Sequence, residues 1–260
     1  MTGMLEIGVS QLKKTRTLML IASFAVVYTL LRILPTFPML GVSGASFSVA
    51  DAIAPIYGII LGPFVGVLSV VVGTFLAFAL GRPVIFLGLD FLPAAVNVLV
   101  VGLLVWRRWV TSAAINVIVL LLFLVNPFTL LIVSVSIPGL NVQFYAPFAW
   151  MHFLALIMLF SPLSRRAASW VTEPSIARLA PGIIILSLIG TLTQHATGSL
   201  LWETVYGAVL GAIKLDAFYA IWKVIFWVYP FERTVIIIVA TIIGTALVRA
   251  LRRAGLASTH

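Results

Sequence analysis

The chain has no cysteine, which excludes disulfides, thiolate nucleophiles and cysteine-ligated metals. Charge is nearly as scarce. Only 9% of its 260 residues are Asp, Glu, Lys or Arg, against roughly 25% in an ordinary globular domain. No Gly-x-x-x-x-Gly-Lys-Ser/Thr run occurs, so the chain carries no loop of the kind that cradles nucleotide phosphates. The three histidines, His152, His195 and His260, show no metal-ligand spacing, and no metal centre or cofactor is expected. What fills the chain instead is apolar: 62% of residues are hydrophobic and the mean hydropathy is +1.21. That leaves too little polar surface to coat a water-facing exterior. The expected class is therefore all-α, a polytopic integral membrane bundle, with residues 1–260 forming one transmembrane domain and no separate soluble domain.

Hydropathy and polar breaks predict about eight spans: Leu18–Leu34, Val49–Leu61, Pro63–Leu80, Phe91–Trp106, Val110–Ser134, Phe144–Phe160, Gly182–Leu210 and Phe231–Leu251. Lys13, Lys14 and Arg16 before the first apolar run give it the look of a signal peptide, but no small-residue cleavage site follows, so it reads as a retained span. The net charge of +9 does not point to nucleic acid, because the basic residues sit in short clusters between apolar runs, where loops meet anionic headgroups. With both termini cytoplasmic, the inner side carries Lys13, Lys14, Arg16, Arg107, Arg108, Arg165, Arg166, Arg178, Arg249, Arg252 and Arg253. The outer side then keeps only Arg32, Arg82, Lys214, Lys223 and Arg233. That asymmetry selects the eight-span topology with both ends inside over its inverse, and a multi-pass protein of the plasma membrane is expected.

Small residues recur along the third span at Gly62, Gly66, Ser69, Gly73, Ala77 and Gly81, and again at Ala240 and Gly244. Such stripes let backbones approach closely, and packing inside the monomer is the expected use. Strongly polar residues at membrane depth are few, and each is costly, so each needs a reason. Asn97 falls in the fourth span, Gln194 and His195 in the seventh, and Asp51, Asp90, Glu203 and Arg82 near outer ends. At helical spacing Thr191, His195, Gly198 and Trp202 share a face. Two readings of that face stand: the wall of an outward-facing cavity, or an interhelical hydrogen-bond network capped by an interfacial aromatic belt. The stretch 214–230, with Asp216, Tyr219 and Lys223 about one turn apart, reads as an interfacial helix or a lid. Candidate cavity contacts are Asp51, Asn97, Gln194, His195, Trp202 and Glu203, with Arg82, Trp222 and Lys223 at the entrance. Hydrogen bonds would come from Gln194 and His195, and an apolar wall from Trp202.

Three stretches together resemble the substrate-capture (S) components of energy-coupling factor vitamin importers. They are Phe47-Ser-Val-Ala-Asp through Gly62-Pro-Phe-Val-Gly, the polar Gly190–Tyr206 helix, and Tyr229-Pro-Phe-Glu-Arg followed by the terminal apolar helix. The resemblance implies a membrane receptor that binds a small, vitamin-like molecule near the outer face and is not itself an enzyme. It further implies an ATP-driven importer completed by a membrane coupling protein and two nucleotide-binding subunits. Family members usually have six spans, so residues 110–161 are read as an inserted helical hairpin. The family docks its partner through small residues four apart on the first helix; Ala22, Ser23 and Ala25 are the candidates here, out of that register.

Two other functions compete. A non-catalytic structural subunit of a larger membrane complex needs no pocket, and places Gln194, His195 and Glu203 against protein groups. An intramembrane serine protease would use Ser43 of Gly41-Val-Ser-Gly with His195 as base. That requires a loop serine to reach a base at membrane depth.

Overall fold

The structure is a computed structural model that describes the backbone of residues 2–137 and 142–254 and the side chains of residues 14–135 and 143–254. Lys13 and His260, used above, have side chains outside the described residues. The chain is mostly helical, and four helices are long and apolar enough to cross a membrane: Lys14–Ile33, Ala50–Ala79, Ile176–Val209 and Leu215–Arg253. Large apolar side chains such as Leu18, Val26, Val72, Ile118, Trp227 and Ile242 point outward from the bundle, as a hydrocarbon surround requires.

Helix α1 (Thr2–Ile33) ends before Pro35, and a short antiparallel pair, β1 (Pro35–Pro38) and β2 (Ser46–Ser48), leads to α2 (Ala50–Ala79). A straight helix of that length would span about 45 Å. Yet Arg82, just beyond its end, donates to the carbonyl of Ser46, before its start, at 2.6 Å. The two arms, residues 50–61 and 63–79, therefore fold back on each other. The turn is made at Gly62, whose φ of 72° and ψ of −177° are open only to glycine, and Pro63 restarts the second arm. The small-residue stripe lies in this fold: Gly66 meets Val98 and the Tyr57 carbonyl, and Gly73 meets Tyr28 and the Ala25 carbonyl. Thr29 Oγ1 donates to the carbonyl of Gly73 (3.1 Å) and Tyr57 Oη to that of Phe24 (2.8 Å), tying α1 to both arms. Small residues here serve packing within the chain. Gly244 likewise meets Ile56 and Ile183.

Helices α3 (Leu92–Val105) and α4 (Trp109–Leu124) follow. The expectation of helix from Val110 to Ser134 fails after Leu124. Pro127 cannot donate a backbone hydrogen bond and disfavours helical geometry at Asn126, whose side chain accepts from the Phe128 N–H at 3.0 Å. Beyond it, β3 (Ile132–Ile137) pairs antiparallel with β4 (Val142–Pro147), Ile132 opposite Pro147. Val133 and Val135 are buried while Ile132 and Ser134 are exposed, the period-two alternation of a half-buried strand. Two short strand pairs thus correct the all-α reading, and the sixth predicted span, begun at Phe144, is strand until Pro147. The helical hairpin read in 110–161 is α4 and α5 (Trp150–Phe160) joined through this ribbon, and Trp109 Nε1 ties the two by donating to the Leu159 carbonyl at 2.8 Å.

Helix α6 (Pro162–Trp170) is capped by Ser161, whose Oγ accepts from the Leu163 N–H. Helix α7 (Ile176–Trp202) continues as a π-helical segment, Glu203–Val209, and α8 (Leu215–Arg253) runs unbroken through Pro230. The stretch 214–230 is thus the first half of the last helix rather than a separate interfacial element. Gly62, Trp106, Trp109, Leu159, Arg165, Val171 and Arg252 gather at one end of the bundle. There Arg165 lies over the Trp109 ring and Arg252 donates to the Val171 carbonyl. Arg32, Arg82, Asp90, Thr129, Glu203 and Trp222 gather at the other.

The Gly62 turn generates a stability test. Gly62→Ala places a side chain in a glycine-only conformation and against the Trp106 ring at 2.9 Å, and is expected to destabilise by about 1–3 kcal/mol. Gly198→Ala, whose methyl would meet only Pro93 at 3.7 Å, is expected to melt like the parent. Thermal unfolding in detergent checks the pair.

Candidate functional site

At the end of the bundle opposite the Arg107, Arg108 and Arg165 cluster, the helices part around a cavity of about 110 Å³. Its wall is built from the β1–β2 segment, the start of α2, the 80–91 loop, the start of α3, the C-terminal part of α7 and the first half of α8. Folding α2 into a hairpin makes this assembly: it sets Asp51, one turn into the first arm, beside Arg82 at the exit of the second.

Asp51 anchors the polar side of the wall. Its Oδ2 accepts from the Ser48 backbone N–H at 2.8 Å, closing the start of α2 where a carboxylate also favours the helix dipole. Its Oδ1 accepts from Gln194 Nε2 at 2.7 Å, and Gln194 Oε1 accepts from Asn97 Nδ2 at 2.6 Å. One ladder therefore crosses α2, α7 and α3. Asn97 sits against Gly190, where any Cβ would collide with its Oδ1. One turn further along α7, Asn116 and Thr193 hydrogen-bond side chain to side chain. Asp90 is held by the backbone N–H groups of Ile85 and Phe86, both at 2.9 Å. Arg82 donates through Nη2 to the Ser46 carbonyl and, at 3.0 Å, to Ser46 Oγ. Burial first, and then the neighbouring Arg32 guanidinium, lower the pKa of Arg82 from its ordinary value; an arginine keeps its charge regardless.

The other side is aromatic. Trp202 and Trp222 meet edge to face at 5.1 Å, backed by Phe218 and Phe148. Behind them, Glu203 is fully buried. Its Oε1 lies 3.1 Å from Trp222 Nε1, which donates to it, and 2.8 Å from Thr129 Oγ1. Thr129 Oγ1 is also 2.6 Å from the Phe123 carbonyl, which can only accept. A hydroxyl has one proton to give, so a protonated Glu203 donating to Thr129 would satisfy all three groups. Deeper along α7, His195 Nδ1 faces His152 Nε2 at 3.1 Å and the His195 ring stacks on Tyr229 at 4.9 Å.

Of the residues chosen from sequence, Asp51, Gln194, His195, Trp202, Arg82 and Trp222 line the cavity. Asn97 and Glu203 stand behind it, each bonded to a residue that lines it, and Lys223 is exposed outside the lining. On α1, Ala22 and Ser23 are exposed, whereas Ala25 is buried in the contact with Gly73. Ser43 is exposed in the turn before β2, outside the cavity lining, and no hydrogen bond joins it to His195 among the described residues. Sequence reasoning missed Arg32, Ser48, Asp90, Glu232 and Arg233 as wall residues, and the pairing of His152 with His195. Arg233 carried a usable signal, a cation inside the apolar run Phe231–Leu251. Asp90 carried the same signal as Asp51, a carboxylate at the end of an apolar run, whereas its meeting with Arg32 depends on where α1 and the 80–91 loop end up.

An uncharacterized protein of Methanocaldococcus jannaschii is 25% identical to this chain over 193 residues, which are 73% of this chain and 60% of that protein. The chain thus covers about three fifths of its relative's length. No protein-family description matches the chain, and no solved structure does.

The ladder predicts an order of stabilities. Gln194→Met strips partners from both Asp51 Oδ1 and Asn97 Nδ2, whereas Asn97→Leu strips only Gln194 Oε1. Each orphaned group costs about 1–3 kcal/mol, so thermal unfolding should place Gln194→Met below Asn97→Leu, and both below the parent.

Proposed function

We propose that the protein is a small-solute receptor of the membrane, the capture component of an ATP-driven importer. The observation that carries this reading is the cavity itself: a hollow between helix ends whose wall combines charged groups, a buried hydrogen-bond ladder and two tryptophans. The chain is read as crossing the plasma membrane eight times, through α1, both arms of α2, α3, α4, α5, α7 and α8, with both termini cytoplasmic. Supporting that orientation, Arg107, Arg108, Arg165 and Arg252 gather at the end away from the cavity. The cavity then opens near the outer face, and solute would be enclosed between the outer halves of the helices before being presented inward.

The resemblance to S components of energy-coupling factor importers, with their vitamin-like substrates, fits this reading. So does the absence of a phosphate-cradling loop from the sequence, which assigns ATP hydrolysis to partners: a membrane coupling protein and two nucleotide-binding subunits. Ala22 and Ser23, exposed on α1, are available to such a partner. The alternative, a structural subunit of a larger complex, draws support from Asn97 and Glu203, whose hydrogen bonds are made to protein. It gives no reason for Asp51, Arg82, Arg233 and His195 to face a common hollow.

Purification of the full chain from its native membrane, followed by mass spectrometry, should recover a bound small molecule and co-purifying nucleotide-binding chains. Recovery of neither overturns the importer reading.

A further inference from the structure

Three guanidinium groups, those of Arg32, Arg82 and Arg233, reach one cavity, and they differ in what their donors meet. Arg82 is fixed to the wall through Ser46. Arg32 Nη2 reaches the Asp90 carbonyl at 3.3 Å, and its Nε is buried with no hydrogen-bond partner among the described residues. Arg233 is the extreme case. It is 1% exposed, its Nη1 lies 3.4 Å from Thr191 Oγ1, and both Nε and Nη2 lack a hydrogen-bond partner among the described residues. Glu232 Oε2 stands 3.7 Å from Nη2, near enough to offset charge and too far to accept a hydrogen bond. The Phe47 ring covers the guanidinium at 5.5 Å.

Nε–H and Nη2–H lie on the same edge of a guanidinium and point in parallel, the fork that a carboxylate fills with its two oxygens. A buried donor left unpaired is costly, more so when charged, so this edge calls for an acceptor from the cavity, and a carboxylate that displaces water there meets both donors at once. The charge balance of the wall narrows the acceptor further. Arg32, Arg82 and Arg233 are offset by Asp51, Asp90 and Glu232, so no excess of charge holds the anion; the Arg233 fork matches one carboxylate, and the second charge of a phosphate ester would go unmatched. Trp202, Trp222 and Ile225 in the same lining offer an apolar surface for the rest of the molecule.

We propose that the solute is a small carboxylic acid, bound as its carboxylate. Its two oxygens accept from Arg233 Nε and Nη2, Arg32 adds a second cationic group, and its ring or chain lies against Trp202 and Trp222. This inference rests on the reading of the cavity as a solute site.

The test pairs carboxylates with their amides, using the detergent-purified full chain: benzoate with benzamide, nicotinate with nicotinamide, hexanoate with hexanamide, and indole-3-acetate with its amide. Benzylamine and phenyl phosphate represent the cationic and dianionic classes. Unfolding temperature and isothermal titration are the readouts, with mass spectrometry of small molecules released from protein taken from its native membrane. A carboxylate should stabilise saturably where its amide does not, or a carboxylic acid should appear in the released fraction. Arg233→Gln should weaken carboxylate binding about 10- to 100-fold, Arg233→Lys should not restore it, and Lys214→Gln, at an exposed position, should leave it unchanged. Should Arg233→Gln fail to fold, the acid and amide comparison on the parent still decides. Preference for an amide, benzylamine or phenyl phosphate, undiminished carboxylate binding by Arg233→Gln, or release of only neutral or cationic molecules overturns the carboxylate and leaves the receptor standing. No binding by any probe together with no released small molecule overturns both.

Discussion

A helical bundle surrounded by hydrocarbon can keep polar groups only where protein or enclosed solvent meets them, and that constraint orders everything else in this molecule. The outward faces carry Leu, Val, Ile and Phe, and Asp51, Asn97, Gln194, Glu203, Glu232 and Arg233, the strongly polar side chains of the apolar stretches, are buried between the helices. The ladder from Asn97 through Gln194 and Asp51 to Ser48 shows the consequence. Gln194 accepts from Asn97 and donates to Asp51, which also accepts from Ser48, so three helices are registered against one another by groups that would be expensive anywhere else. Asp51 carries two tasks in that ladder, since the same carboxylate that closes the start of α2 receives the amide of α7.

Whether the wall exists at all depends on a turn at the far end of the bundle. Gly62 reverses α2, and only that reversal returns the chain to place Arg82 against Ser46. Glycines at 58, 66, 73 and 102 then let the arms, α1 and α3 close on each other with backbone contacts in place of side-chain ones. Lipid competes equally well for Leu and Val contacts, so close backbone approach and interhelical hydrogen bonds are what hold such helices together. The small-residue stripe and the cavity are therefore one device seen at two ends: tight packing below, divergence above.

Divergence alone would leave an apolar gap. It becomes a candidate site because Arg233, whose Nε and Nη2 are unpaired among the described residues, lines it, together with Trp222, which the Phe128 carbonyl and Glu203 hold in place. The strand pair Ile132–Ile137 and Val142–Pro147 contributes to the same end. Val133 and Val135 pack into the cluster that includes Phe123, Phe148 and Trp222, so this strand pair supports the aromatic wall.

The sequence by itself determined the helical, apolar class of the molecule, most helix cores and the Gly62-Pro63 break. These follow from composition and periodicity, which act locally or sum along the chain. It also pointed to Asp51, Gln194, His195 and Trp202, because a polar group in an apolar run is conspicuous wherever it ends up. It misread residues 125–134 and 144–147 as helix, because a short apolar strand cannot be distinguished from helix by hydropathy alone. Only the tertiary structure decided that Arg32, Arg82 and Arg233, remote in sequence and alike in the charge count, share one hollow, or that Lys223 does not. That outcome depends on the fold-back of α2 and on the rotation of α8 about its axis. Both are set by which faces pack closest, a property of pairs of helices and of no single stretch of sequence.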